Sequence, residues 1–216
     1  MFWTYVTDRW DQIWFASWQH LWLVVQCLVL ALVITLVIAF AVYRVPWARA
    51  LANGVSAIGL TIPSFALIGL LIAPFGFGVL PSVIVVTFFA TLPVLRNAVV
   101  GLGQVDPQIV EAARGVGMSR TRVMLRIELP LAWPVILAGL RVSAQMVMGI
   151  AAVTAYALGP GLGGFIFSGL SRLGGANSLN SVVVGVVGVV LLAFVLDLLL
   201  VGLGRLTVSR GIRVRS

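Results

Sequence analysis

The sequence predicts an all-α integral membrane protein: one domain over residues 1–216, about five transmembrane helices, and one helical loop on the cytoplasmic side. Three observations carry this reading. Hydrophobic residues make up 61% of the chain and charged residues only 9%, more apolar surface than a soluble domain of 216 residues needs. The apolar residues collect in uncharged runs of about 20, the length that crosses a bilayer core as a helix. Of the fourteen arginines, twelve fall on one of the two sides that these runs define.

Residues 1–20 lack the basic start of a signal peptide and precede a full-length span. Trp10, Trp14, Trp18 and Trp22 recur every four residues on one helix face. They read as an interfacial helix over about 7–20, anchored by indoles at the headgroups. An aromatic cage for a cationic ligand is the alternative. His20 reads as an interfacial residue. Leu21–Tyr43, 23 residues without a charge, is the first span, and Arg44, Trp47 and Arg49 mark its far boundary. The second span covers about Leu51–Phe75 and contains Pro63. An internal proline frees a carbonyl and kinks a membrane helix, and the neighbouring hydroxyls of Thr61 and Ser64 become pathway candidates, with a packed kink as the alternative.

Gly76-Phe77-Gly78 is a tight turn into the third span, about Leu80 to Leu95, which has Pro81 in its first turn and Pro93 near its end. Arg96 and the polar loop follow. The fourth span runs from Pro134 to about Leu158. Gly159-Pro160-Gly161-Leu162-Gly163-Gly164 spells G-x-G-x-x-G, but no strand precedes it and no acidic residue lies about 20 positions on, so it is not a dinucleotide site. It reads as a helix break into a short outer segment, Phe165–Leu170. The last span, Val182 to about Gly204, leads to Arg205, Arg210, Arg213 and Arg215.

Five spans put the termini on opposite sides. With the central loop inside, Arg44, Arg49, Arg96, Arg114, Arg120, Arg122, Arg126, Arg141, Arg205, Arg210, Arg213 and Arg215 lie on or near the inner side, and only Arg9 and Arg172 lie outside. The positive-inside rule then places the C-terminus in the cytoplasm. This asymmetry accounts for the net charge of +8 without invoking nucleic acid. Two charges fall within spans. Arg141 and Asp197 each lie seven residues from an inner span end, about 10 Å deep at 1.5 Å per residue. An unpaired charge at that depth costs on the order of 3 kcal/mol, so the two are expected to pair. Separate snorkelling is the alternative, easy for arginine and hard for the short aspartate.

The polar interval Asp106–Pro134 reads as two short helices joined at glycine. Asp106 caps the first, with Pro107 as its first residue, where a missing N–H is harmless. Ile109, Val110, Ala113 and Val116 recur at helical spacing beside Glu111 and Arg114, and Gly115 and Gly117 stop the helix. Ser119 caps the second, with Val123, Met124 and Ile127 as its apolar face; Pro130 ends it, and Pro134 starts the next span.

No enzyme chemistry is expected. The chain has no lysine, so it has no phosphate-binding P-loop. Its one cysteine, Cys27, cannot form a disulfide within the chain, and one histidine makes no metal site. A secondary transporter or channel working alone would need coupling ions and usually internal repeats, and neither is visible. Apart from membrane lipid, the element built to meet a partner is the polar loop, about 96–134.

Glu111-Ala112-Ala113, three residues, Gly117, nine residues, Ile127, one residue, Leu129-Pro130 matches the EAA motif without gap or substitution. On it the chain resembles the permease subunits of binding-protein-dependent ABC importers. The stretches TIPSFALIGLLI (61–72), LPVLRNAVVGL (92–102) and VDPQIVEAARGVGMS (105–119), with the glycine-rich break at 159–164, resemble the osmoprotectant class that imports glycine betaine, choline or carnitine. The likeness covers about residues 55–175. It implies the type I ABC importer permease fold in a bacterial cytoplasmic membrane. The loop would dock on a cytoplasmic ABC ATPase subunit through Glu111, Ala112, Ala113, Gly117, Ile127, Leu129 and Pro130. It also implies a second permease subunit, identical or a close relative, and an extracytoplasmic binding protein that selects the substrate. ATP and magnesium would sit on the ATPase, with no cofactor on this chain. Permeases for methionine and other small solutes carry the same loop and are the alternative. A quaternary amine has a fixed charge and no N–H donor, which suits aromatic faces. Phe65, beside Pro63, and Tyr156, near the outer end of the fourth span, therefore join Thr61 and Ser64 as pathway candidates, against core packing.

Overall fold

The structure is a computed structural model and describes residues 2–208. Arg210, Arg213 and Arg215, which the sequence places on the inner side, lie outside the described residues. Ten α-helices make up the described chain, with a π-turn and a 3-10 turn at the ends of the eighth. They are α1 (Phe2–Asp8), α2 (Trp10–Val42), α3 (Pro46–Gly59), α4 (Ser64–Phe75), α5 (Val79–Gly103), α6 (Pro107–Gly115), α7 (Arg120–Val123), α8 (Leu129–Val153), α9 (Gly163–Leu170) and α10 (Ser178–Thr207).

The centre is α5 against α8, with α2 laid across both. Small residues let these backbones approach: Ala31, Ala90, Ala98, Ala144 and Ala151 are all buried, between larger plugs such as Val86, Ile136 and Met148. Two close approaches require glycine. A Cβ on Gly101 would meet Val135 and the Ala132 carbonyl at 3.0 and 3.2 Å, and one on Gly139 would meet Asn97 at 2.6 Å. α10 packs on α8 and α9 and leaves most of its long apolar surface outward, as a lipid-facing helix does.

Among the described residues four helical stretches are long and apolar enough to cross a membrane, and the bent pair α3–α4 makes a fifth when taken as one span. Neither half, of 14 and 12 residues, would span alone. The second span predicted over Leu51–Phe75 as one kinked helix is instead two helices at 92°. The break has a local cause. Thr61 Oγ1 donates to the Ile58 carbonyl at 2.7 Å, closing α3, and Pro63 sits in extended conformation as the cap of α4. The pair still carries the chain from one end of the bundle to the other. Arg44 lies beside Glu128 at one end, and the Gly78 N–H donates to the Ala157 carbonyl at 2.7 Å at the other.

Three further expectations are corrected. The interfacial helix predicted over 7–20 is not separate, because the break falls at Arg9 and α2 runs unbroken for 33 residues, about 50 Å. That exceeds a core of about 30 Å, so the tryptophan-bearing start of α2 stands beyond it. Trp10, Trp14, Trp18 and Trp22 are all exposed, and Trp18 and Trp22 stack at 6.4 Å. His20 is not interfacial: it is fully buried, with Nε2 3.2 Å from the Met148 carbonyl oxygen. Finally, Pro130 does not end a helix, nor does Pro134 start one. The chain is helical without interruption from Arg120 to Ala157. Met124–Glu128 forms a π-turn in which the Leu129 N–H reaches back to the Met124 carbonyl. The wider turn ahead of Pro130 relieves the clash of its ring with the carbonyl four residues back.

Candidate functional site

The polar interval folds as an arm on the α8 end of the bundle that also holds the α2–α3 turn. Its local structure follows its residues. The Asp106 carboxylate accepts from the Gln108 N–H at 2.8 Å, with Pro107 in the first helical position. At the other end of α6 the Met118 N–H reaches the Ala113 carbonyl and the Gly117 N–H reaches the Arg114 carbonyl, at 3.1 and 2.9 Å. This is a Schellman closure, and it puts Gly117 at φ +85°, a conformation that disfavours any side chain. Ser119 then caps α7, accepting weakly from the Arg122 N–H at 3.4 Å.

The arm turns Ala113 and Val123 inward, where both are buried. Glu111 and Ala112 point to the surface with Ile109 and Val116, the last 81% exposed. Ile109, Ala112 and Val116 stand at i, i+3 and i+7, so they form one apolar stripe along α6 and its cap, while Glu111 lies on another face, in the wall of a cleft that Arg44, Arg49 and Arg114 also line. Ile127, Leu129 and Pro130 lie at the root of the arm, where the π-turn feeds into α8. The seven motif residues are therefore not one cluster. Four stand on the projecting helix and its closure, and three on the shaft that joins it to the membrane.

That shaft carries an interaction the sequence reading did not identify. Glu128 is 3% exposed; it accepts from Tyr43 Oη at 2.8 Å, and Arg44 Nη2 donates to both its oxygens at 2.9 Å. The Arg44 guanidinium also stands 5.0 Å from the Tyr43 ring centre. A carboxylate this buried requires charged or hydrogen-bonding partners, and it has both. A signal existed in the sequence: Glu128 breaks the apolar face of its helix, and Arg44 directly follows the first uncharged span, Leu21–Tyr43.

In the bundle, Arg141 donates to Asp197 through Nε and Nη2, both at 2.9 Å, and Gln145 Nε2 donates to the same carboxylate at 3.2 Å. The bidentate geometry ties α8 to α10. Because α8 begins at Leu129 and not at Pro134, Arg141 lies twelve residues along it, about 18 Å from its start. A groove of about 290 Å³ opens beside the pair, walled by Leu137, Leu200 and Gly204.

At the end of the bundle opposite the arm Phe65 and Tyr156 meet each other, ring centres 4.6 Å apart, and Phe167 of α9 adds a third ring 6.1 Å from Tyr156. Phe65 and Tyr156 are about half exposed. In contact they cannot sandwich a cation between them; only their outer faces are open to one. Thr61 is exposed with its hydroxyl spent on α3, and Ser64 is half-buried at the start of α4. The glycine string is packed at Gly161 and Gly163: a Cβ on Gly161 would lie 2.7 Å from His20 Nδ1, and one on Gly163 would overlap the Ala152 carbonyl oxygen.

The comparisons with known proteins agree with this arrangement. A family model described as "Binding-protein-dependent transport system inner membrane component" matches residues 31–208. The osmoprotectant import permease protein OsmW of Salmonella typhimurium is 36% identical over 177 residues, 80% of each chain. The carnitine transport permease protein OpuCB of Listeria monocytogenes is 34% identical over 155 residues, 72% of this chain and 71% of that one. The choline transport system permease protein OpuBB of Bacillus subtilis is 35% identical over 147 residues, 68% of this chain and 66% of that one. Among solved structures, a chain of the MetNI methionine ABC transporter in an inward-facing conformation superposes with a TM-score of 0.69 at 21% identity, over 94% of this chain and 99% of that one. At that identity the likeness speaks for the fold alone, the type I ABC importer permease fold. With the family model spanning most of its length and both ends of its helical bundle, this chain belongs to the binding-protein-dependent transport system inner membrane components.

Proposed function

We propose that this chain is the membrane-spanning permease subunit of an ATP-driven importer for a small osmoprotectant of the glycine betaine, choline or carnitine type. The observation that carries the reading is the α6 stripe. Ile109, Ala112 and Val116 leave apolar surface uncovered on a polar arm. Such a stripe requires a partner groove. In this reading the groove belongs to a cytoplasmic ABC ATPase subunit, which holds ATP and magnesium; a basic residue there meets Glu111. The arm is continuous with α8, so movement of the arm is movement of a span. The C-terminus lies in the cytoplasm with the arm. A second permease subunit, identical or closely related, completes the path, and an extracytoplasmic binding protein delivers the substrate. The substrate class rests on the relatives named above. Phe65, Tyr156, Thr61 and Ser64 line the outer part of the path in this reading, with the outer ring faces offered to the quaternary ammonium.

Two measurements test it. Purified in mild detergent, the chain should bring an ABC ATPase subunit with it, and Glu111→Lys should lose that subunit while the chain stays in the membrane. In a deletion strain, restoring the chain should restore uptake of labelled betaine, choline or carnitine. Restoration of methionine uptake and not of these would move the substrate to the alternative class. Uptake without any associated ATPase would overturn the importer reading itself.

A further inference from the structure

The ends of α2 and of the arm are joined at one post. On one side of it lies a cleft of about 310 Å³ between Phe40, Ala41 and Tyr43 of the α2 end and Arg120, Thr121 and Met124 of the arm. On the other lies a cleft of about 300 Å³ whose walls include Arg44, Arg49, Arg114, Glu111 and Glu128. Tyr43 lines both clefts, and Glu128, bonded to it, lines the second. The Tyr43–Glu128–Arg44 set thus bridges a gap that packing leaves open. It is anchored in the π-turn, a helix distortion that recurs where function needs a local adjustment. Bundle packing alone would tie the arm to α8, its continuation.

We propose that Glu128, held by Arg44 and Tyr43, is a latch that makes α2 move with the coupling arm. Glu128 and Arg44 are positioning residues: they touch no substrate. With the latch closed, a push on the arm is delivered to α2 and α8 together; with it open, α2 is reached only through its packing on α5 and α8. The inference rests on the importer reading above for what pushes the arm, and on the geometry alone for what the push reaches. Only Arg44 Nη2 contacts the carboxylate, so a lysine ammonium, a single point cation, can take its place.

The test uses the complete complex in proteoliposomes, with its ATPase subunits and binding protein. Glu128→Gln and Arg44→Ala should lower substrate moved per ATP hydrolysed by about tenfold while hydrolysis stays within about twofold. Arg44→Lys should keep most of the ratio. Uptake and hydrolysis falling in proportion would make the set a structural support only and overturn the proposal, as would an unchanged ratio. A second measurement covers variants that assemble poorly. Nitroxide labels at Ala41→Cys and Thr121→Cys, in a Cys27→Ser background, report across the first cleft. The label distance should be single and constant through the ATP cycle with Glu128 in place. In Glu128→Gln it should spread or shift on the order of 5 Å. The same narrow distribution in both overturns the latch. Should no ATPase associate with the chain, the importer reading fails, and the label distances in lipid, compared with and without the Glu128→Gln change, still decide the latch.

Discussion

The two ends of α8 use glycine for opposite reasons. At the inner end Gly117 turns the arm at φ +85°, and a Cβ placed there would meet nothing within 4 Å. At the outer end Gly163 has no such backbone angle, yet its Cβ would press into the Ala152 carbonyl oxygen. The first glycine serves conformation and the second serves space. The inner arm is an element standing in the open with its own caps, apolar stripe and charge. The outer break is part of the core, wedged among α2, α8 and α10. A region built to meet a partner keeps its surface free; a region built to hold a bundle together gives up every ångström.

The largest expected effect is at the packed end. Gly163→Ala should destabilise by about 3 kcal/mol or more, since backbone and not a flexible side chain must move. Membrane-fraction abundance and thermal melting in detergent measure it. Gly117→Ala should cost only about 1 kcal/mol and leave abundance intact. If the two variants fall equally, the contrast between space and conformation fails.

The middle of α8 gives the next effect. Removing one member of the Arg141–Asp197 pair leaves its partner uncompensated in a span, worth on the order of 3 kcal/mol on insertion scales. Each single reversal should lower assembled protein, and Arg141→Asp with Asp197→Arg should recover part of it. A swap as damaging as both singles together would mean that the pair does not hold α8 to α10.

At the open end the damage should appear in activity instead. Glu111→Lys and Gly117→Asp should reduce uptake by about a hundredfold with near-normal membrane abundance, because the first reverses a charge on the coupling arm and the second distorts the closure of α6. Normal uptake by either would remove the arm from coupling. The smallest effect belongs to the outer aromatic pair. Phe65→Ala and Tyr156→Ala should each reduce betaine uptake by about twofold to fivefold, the scale of one exposed cation–π contact. Unchanged uptake at intact protein levels would return both rings to packing.

Much of this molecule is legible without its structure because the information is local. A run without charge long enough to span must lie in a low-dielectric medium. Asp106, Pro107, Gly117 and Ser119 define α6 and the start of α7 through bonds that reach two to five residues, so the sequence contains both partners within one window. Arg141 and Asp197 are separated by 56 positions, yet the pairing is foreseeable: the sequence puts these two charges well inside spans, and each needs a partner. Tertiary structure decided the rest. Whether Pro130 ends a helix or is absorbed by a π-turn depends on the packing that pulls α7 into line with α8. Whether Thr61–Pro63 kinks a span or folds it to 92° depends on what α3 and α4 each find along α5. His20 looks interfacial in sequence and Glu128 falls in the polar interval, yet both are buried because distant helices close over them. For such groups the partners lie 128 and 84 positions away, and only three-dimensional packing determines which of many possible neighbours arrives.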